Sequence, residues 1–172
     1  MGDRVKIAAG IYMNWGGTMP PDIRGDVTAA DHIGWIELFS AQFGVGKPPT
    51  GRDAGDDKSP TVSEIIVTKA QDMASAALSK ECIYGEGKKV VIDYVKAING
   101  KPKVYLTITL SGVTISNCSV SPDQPGGLSW PKESFSLSFK KVEYGPATGV
   151  QPHTTALPNQ NPAFWNIRPP AR

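Results

Sequence analysis

The stretch Lys88–Leu110, KKVVIDYVKAINGKPKVYLTITL, decides the fold of this chain. It contains two apolar, β-branched runs that are separated by the pair Asn99-Gly100. Asn-Gly between two such runs is a strong hairpin signal, because both residues tolerate the positive φ that a two-residue turn demands. We therefore predict two long antiparallel strands joined by a tight turn.

The composition of the whole chain agrees with this prediction. Its 172 residues include 18 glycines and 15 prolines, and 40% of them are hydrophobic. Such a chain suggests one domain with a sizeable core, and its many turn formers favour a mainly-β protein over a helical bundle. A net charge of +2 is too small to indicate nucleic acid or a membrane surface as a partner, and no apolar run is long enough to span a membrane.

Two of the predicted strands change the phase of their apolar alternation. The first change falls at Gly112 and the second at Lys140-Lys141. An extra residue at such a point produces a bulge or a bend, and bends in long strands suit a sheet that curls into a barrel. We therefore predict a single-domain β-barrel of two packed or curled sheets.

One flanking helix is predicted over about residues 72–84. Asp72 can cap its first turn and Gly85 can end it. The apolar face of this helix is expected to consist of Ala74, Ala77, Leu78 and Cys82. We expect Cys82 and Cys118 to be free, buried thiols rather than a disulfide.

Several predicted strands are apolar on both faces. In one of them Trp35 and Phe39 alternate with Ile36 and Leu38. A small barrel buries only its inner face, so the second face needs a covering, such as the helix or a neighbouring subunit. This pattern favours a protein that assembles with others.

Residues that could perform chemistry are few and scattered. The two histidines, His32 and His153, do not combine with Cys82 or Cys118 at a spacing typical of a metal site. No serine or cysteine has the sequence context of an activated nucleophile. We therefore expect no enzyme activity, no metal and no cofactor. We also expect no ordinary signal peptide, because the first residues lack an apolar core with a cleavage site.

The segment MNWGGTMPPDIRGDV, Met13–Val27, is rich in glycine and proline and contains the adhesion tripeptide Arg24-Gly25-Asp26. A tripeptide is a motif of low specificity. We interpret residues 16–31 as an extended loop, and a binding module that acts through the tripeptide is an alternative.

Three blocks of the sequence resemble the Hcp family, the haemolysin-coregulated proteins of type VI secretion. The first block is similar to the family's opening loop and strand at Ile23, Gly25, His32, Trp35, Ile36, Glu37 and Gly44. The central block is similar at Lys69, Asp72, Leu78 and Gly85. The segment FWNI, Phe164–Ile167, resembles the family's closing Trp-Asn-Ile.

The resemblance implies a barrel with one flanking helix that forms hexameric rings. In that family the rings stack into the inner tube of a contractile apparatus and are exported with effectors. The implied partners are further copies of the chain, effector cargo, and the puncturing-tip and sheath proteins. The protein would be assembled in the cytoplasm and then secreted without a signal peptide. A secreted effector with the same fold is the alternative.

The resemblance also divides the chain and implies roles for its residues. We expect a barrel domain over residues 1–145 and a Pro-rich C-terminal tail over residues 146–172. A ring-stacking loop is expected at Asp22, Ile23, Arg24, Gly25 and Asp26. The candidates for the family-motif strand and the interface are His32, Trp35, Ile36, Glu37 and Trp165.

Overall fold

The computed structural model describes residues 9–46, 61–122, 130–145 and 163–166. Within these ranges the chain forms one α-helix, α1, a short 3-10 turn at Ala30–His32, and eleven strands. The elements in chain order are β1 (Gly10–Trp15), β2 (Ile36–Leu38), β3 (Ser40–Gln42), β4 (Val45–Gly46), β5 (Thr61–Val62), β6 (Ile65–Ala70), α1 (Ser75–Tyr84), β7 (Lys88–Ile98), β8 (Lys101–Ser121), β9 (Lys132–Ser138), β10 (Lys141–Gly145) and β11 (Ala163–Asn166).

The main sheet is antiparallel and curls on itself. Its strand order is β2-β1-β7-β8-β9-β6-β3, while β10 pairs with β8 and with β11. The two ends of this order, β2 and β3, are separated along the chain only by Phe39. One continuous segment therefore joins the two ends of the sheet. The predicted fold class, mainly β with curled sheets and one flanking helix, is confirmed, although β2 and β3 do not pair and the described strands do not close into a barrel.

The hairpin of β7 and β8 has the predicted turn. Ile98 pairs with Lys101, so Asn99 and Gly100 are the two turn residues. Their φ angles are 51° and 74°, in the left-handed region that a two-residue hairpin turn requires. A large side chain at Gly100 would be strained by this backbone conformation.

Both predicted phase changes are bends in the strands. Lys88 pairs with Val113 and Val90 with Leu110, so β8 has one extra residue at Gly112, where φ is +65°. Beyond this point β8 leaves β7 and pairs with β9. The second change, at Lys140, separates β9 from β10, and the Lys140 N–H donates to the Ser111 carbonyl at 2.9 Å. The two bends are therefore adjacent and turn the sheet together.

The helix begins later than the sequence indicates. Asp72 accepts a hydrogen bond from the Ala74 N–H at 2.9 Å, but the α-helix itself begins at Ser75. It ends at Tyr84, directly before Gly85, as expected. Ala74 and Leu78 are buried, whereas Ala77 is exposed, so the predicted apolar face is wrong at that position. The physical reason is that Ser75 turns inward to a polar cluster and the helix rotates accordingly.

That cluster surrounds the buried ammonium group of Lys69. The Lys69 Nζ lies 2.8 Å from Glu133 Oε2 and 2.7 Å from Asp72 Oδ1. It also donates to Ser75 Oγ at 3.0 Å, and Ser75 in turn donates to Glu133 at 2.7 Å. A buried charge is tolerated only when it is paired and hydrogen-bonded. The ion pairs and hydrogen bonds of this cluster therefore hold the start of α1 against β6 and β9.

The main core fills the inside of the curled sheet. Cys82 and Cys118 are free thiols that pack against this core in partly buried positions. A second, smaller core covers the other face of β1 and β7 and consists of Tyr12, Val27, Trp35 and Val95. Val27 and Trp35 belong to the segment between β1 and β2. At β1 and β7 the second apolar face is therefore covered by the chain's own loop and not by the helix, whereas Phe39 on the same predicted face stays 57% exposed.

Lys69→Met should destabilise the protein strongly. It leaves the Glu133 carboxylate, which is 3% exposed, without its counter-charge. Removing one partner of a buried ion pair costs about 3–5 kcal/mol. We expect a clearly lower urea midpoint with an unchanged slope. The matched control, Lys80→Met on the exposed side of α1, should shift the midpoint little, and equal midpoints for both variants would disprove the role of the cluster.

Gly25→Ala should destabilise the loop that carries the second core. An added methyl group would overlap the carbonyl oxygen of Trp35 and lie 2.7 Å from the Cα of Ile36, and both are backbone atoms that cannot yield easily. Overpacking of this kind costs about 1–3 kcal/mol. Thermal unfolding should show a lower Tm, whereas Thr28→Ala, an exposed change in the same segment, should leave it nearly unchanged.

Candidate protein-protein interface

Residues 21–28 form an extended segment with strictly alternating burial. The N–H groups of Gly25 and Val27 donate to the carbonyls of Gly34 and Trp35 at 2.8 and 3.1 Å. This pairing turns Pro21, Ile23, Gly25 and Val27 inward and exposes Asp22, Arg24, Asp26 and Thr28. Of the five residues expected in a ring-stacking loop, three therefore face solvent and two hold the segment in place.

The charges on this outward row are largely uncompensated. Asp22 forms one exposed ion pair, in which Lys88 Nζ lies 3.4 Å from its carboxylate. Arg24 and Asp26 form no hydrogen bond or ion pair through their side chains with any other described residue. Exposed charges held on a fixed backbone are well suited to contact a partner surface.

The Gly/Pro-rich residues before this row are folded against β1. The Asn14 amide donates to the Thr18 carbonyl at 2.9 Å and accepts from the Gly17 N–H at 3.1 Å. The Trp35 indole N–H donates to the sulfur of Met19 at 3.3 Å. Sequence reasoning missed the roles of Asn14 and Met19, because neither belongs to a recognised turn or cap pattern.

His32 has a structural role in this arrangement. It is buried, with Nε2 3.0 Å from Asp93 Oδ2, and Thr107 donates to the other oxygen of Asp93 at 2.7 Å. Its ring packs edge-on against Trp35, with centroids 4.6 Å apart. His32 therefore ties the loop to β7 and β8. Within the described ranges no group of three or more His, Cys, Asp and Glu side chains is placed to hold a metal ion.

The other interface candidates lie in different surroundings. Ile36 is fully buried in the main core, whereas Glu37 is exposed beside Tyr12. Burial raises the pKa of Tyr12, and the Glu37 carboxylate raises it further. Trp165 lies in β11, where its backbone pairs with that of Val142. Of His32, Trp35, Ile36 and Glu37, only Glu37 is available to a partner.

An open groove of about 610 Å³ lies beside Glu37. Three apolar side chains on its surface are more than half exposed: Phe39 by 57%, Met73 by 63% and Trp130 by 71%. Asp26 and Glu37 add carboxylates to the same groove. Such an apolar patch with a polar rim is typical of a protein-protein contact. We call it the acidic groove.

The helix in the described part of the chain is not long and apolar enough to cross a membrane.

Comparison with known proteins places this architecture in a family. The model for the type VI secretion system effector Hcp matches residues 12–145, which is more than half of the chain. No curated protein matches the chain.

Solved structures of that family share the fold. Hcp1 from Salmonella typhimurium is 25% identical with a TM-score of 0.66, over 82% of this chain and 88% of that one. A type VI secretion system effector from Yersinia pestis is 21% identical with a TM-score of 0.67, over 91% and 99% of the two chains. A type six secretion system protein is 21% identical with a TM-score of 0.75, over 93% and 96%. The family match extends from within β1 to the end of β10, and the chain therefore belongs to the Hcp family of type VI secretion system effectors.

Proposed function

We propose that this protein is the inner-tube subunit of a type VI secretion apparatus. Copies form six-membered rings, the rings stack, and the stack is exported from the cytoplasm. Effector cargo, the puncturing tip and the sheath are its further partners. Membership of the Hcp family supports this proposal, and no catalytic step is assigned to the subunit.

The observation that carries the proposal is the outward row of Asp22, Arg24 and Asp26. The second core beneath it holds these charges on a fixed backbone at the surface. We assign the row to contacts between stacked rings and the strands of the curled sheet to contacts within one ring. A ring needs one heterologous interface that is repeated until it closes, and a stack needs a second, separate interface.

The wild-type protein should form closed rings in solution. Size-exclusion chromatography with light scattering should give a mass of about six times the 18.4 kDa of the chain, and negative-stain images should show rings. A strictly monomeric protein at high concentration would overturn the proposed function.

Arg24→Glu should weaken stacking and leave single rings intact. The variant turns the only cation of the row into a third carboxylate, so like charges meet where rings approach. Negative-stain images should show single rings in place of stacks under conditions in which the wild type stacks. High salt should also reduce wild-type stacking, because exposed ion pairs are screened.

Lys80→Glu on the exposed side of α1 is the matched control, since it makes the same charge change away from the row. It should leave both rings and stacks unchanged. Loss of the rings themselves in Arg24→Glu would refute the division between stacking and ring contacts.

A further inference from the structure

The tip of the β7–β8 hairpin has no neighbouring strand among the described residues. β1 pairs with β7 only as far as Val95, and β10 pairs with β8 only from Thr107. Residues 96–103 therefore form a two-stranded arm without a third described strand, and on one side Pro102 lines a small cavity with Ala30 and Asp31. Three or more strands are more stable than two, so a contact with a partner would stabilise the exposed part of the arm.

The arm is strongly basic. Residues 96–103 contain Lys96, Lys101 and Lys103 and no acidic residue. Lys101 and Lys103 are exposed and form no ion pair with any other described residue, while Lys96 lies over the ring of Tyr105 at 5.1 Å. We call residues 96–103 the basic arm.

The acidic groove has the complementary chemistry. Glu37 forms no ion pair or hydrogen bond through its side chain with any other described residue. The exposed Phe39, Met73 and Trp130 provide apolar surface in the same groove. A lysine can lay its methylene chain on such a surface while its ammonium group meets the Glu37 carboxylate, since Lys132 Nζ already lies over the Phe39 ring, 5.9 Å from its centroid.

We propose that the basic arm of one copy docks into the acidic groove of the neighbouring copy in the same ring. This inference rests on the proposed ring assembly and names the surfaces that close it. The contact is heterologous, with the donor surface and the acceptor surface at different places on one chain, as a closed ring requires.

Charge reversal tests the contact. The arm variant Lys101→Glu/Lys103→Glu and the groove variant Glu37→Lys should each raise the concentration needed for ring formation by about tenfold or more, because close interfacial charge pairs couple strongly. The variant that carries all three changes restores opposite charges and should regain much of the assembly. Circular dichroism should show that each variant is folded, and Lys80→Glu should assemble like the wild type.

Zero-length carbodiimide cross-linking of the wild type gives a second readout that needs no mutation. Mass spectrometry should find Lys101 or Lys103 joined to Glu37. An equal mixture of ¹⁵N-labelled and unlabelled protein should give cross-linked pairs of mixed mass, as expected for a bond between copies.

The outcomes separate the two proposals. If the wild type forms rings but the reversed variants form them equally well and no such cross-link is found, the docking contact is wrong and the tube function stands. If both single-surface variants lose the rings and the triple change restores nothing, the contact is also wrong. If the wild type forms no rings at all, the tube function and this contact fail together.

Discussion

The whole architecture depends on the bend where β8 passes from one half of the sheet to the other. Without it, a 21-residue strand would remain straight and could pair with only one set of neighbours. The extra residue at Gly112 lets β8 pair first with β7 and then with β9. Lys140 bends the neighbouring strand at the same place. The curl that encloses the main core follows from these two adjacent bends.

Features that depend on residues close in sequence were predictable. The Asn99-Gly100 turn, the extra residue at Gly112, the break at Lys140 and the end of the helix before Gly85 are each set by a few neighbouring side chains. The helix face was not predictable, because it is rotated by the contact of Ser75 with Lys69 and Glu133, and Glu133 is 64 residues from Lys69 along the chain.

The candidate site was predictable in part for the same reason. The family pattern indicated the loop from Asp22 to Asp26, but not which of its residues face outward. That alternation depends on hydrogen bonds to Gly34 and Trp35. The buried position of His32 depends on its contact with Asp93, which is 61 residues away along the chain. The acidic groove combines residues from four separate parts of the chain, so no local sequence pattern indicates it. The tail beyond Gly145 lies outside the described residues, apart from β11.

The second core has a consequence for how the chain folds. Because the chain's own loop covers the outer face of β1 and β7, this part of the sheet can fold without a second copy. The apolar side chains that stay exposed in one chain include those of the acidic groove, Phe39, Met73 and Trp130. The groove combines these apolar side chains with carboxylates, so a contact there would depend on both burial and charge. Folding around β1 and β7 and any contact at the groove are therefore separate events, because different residues carry them.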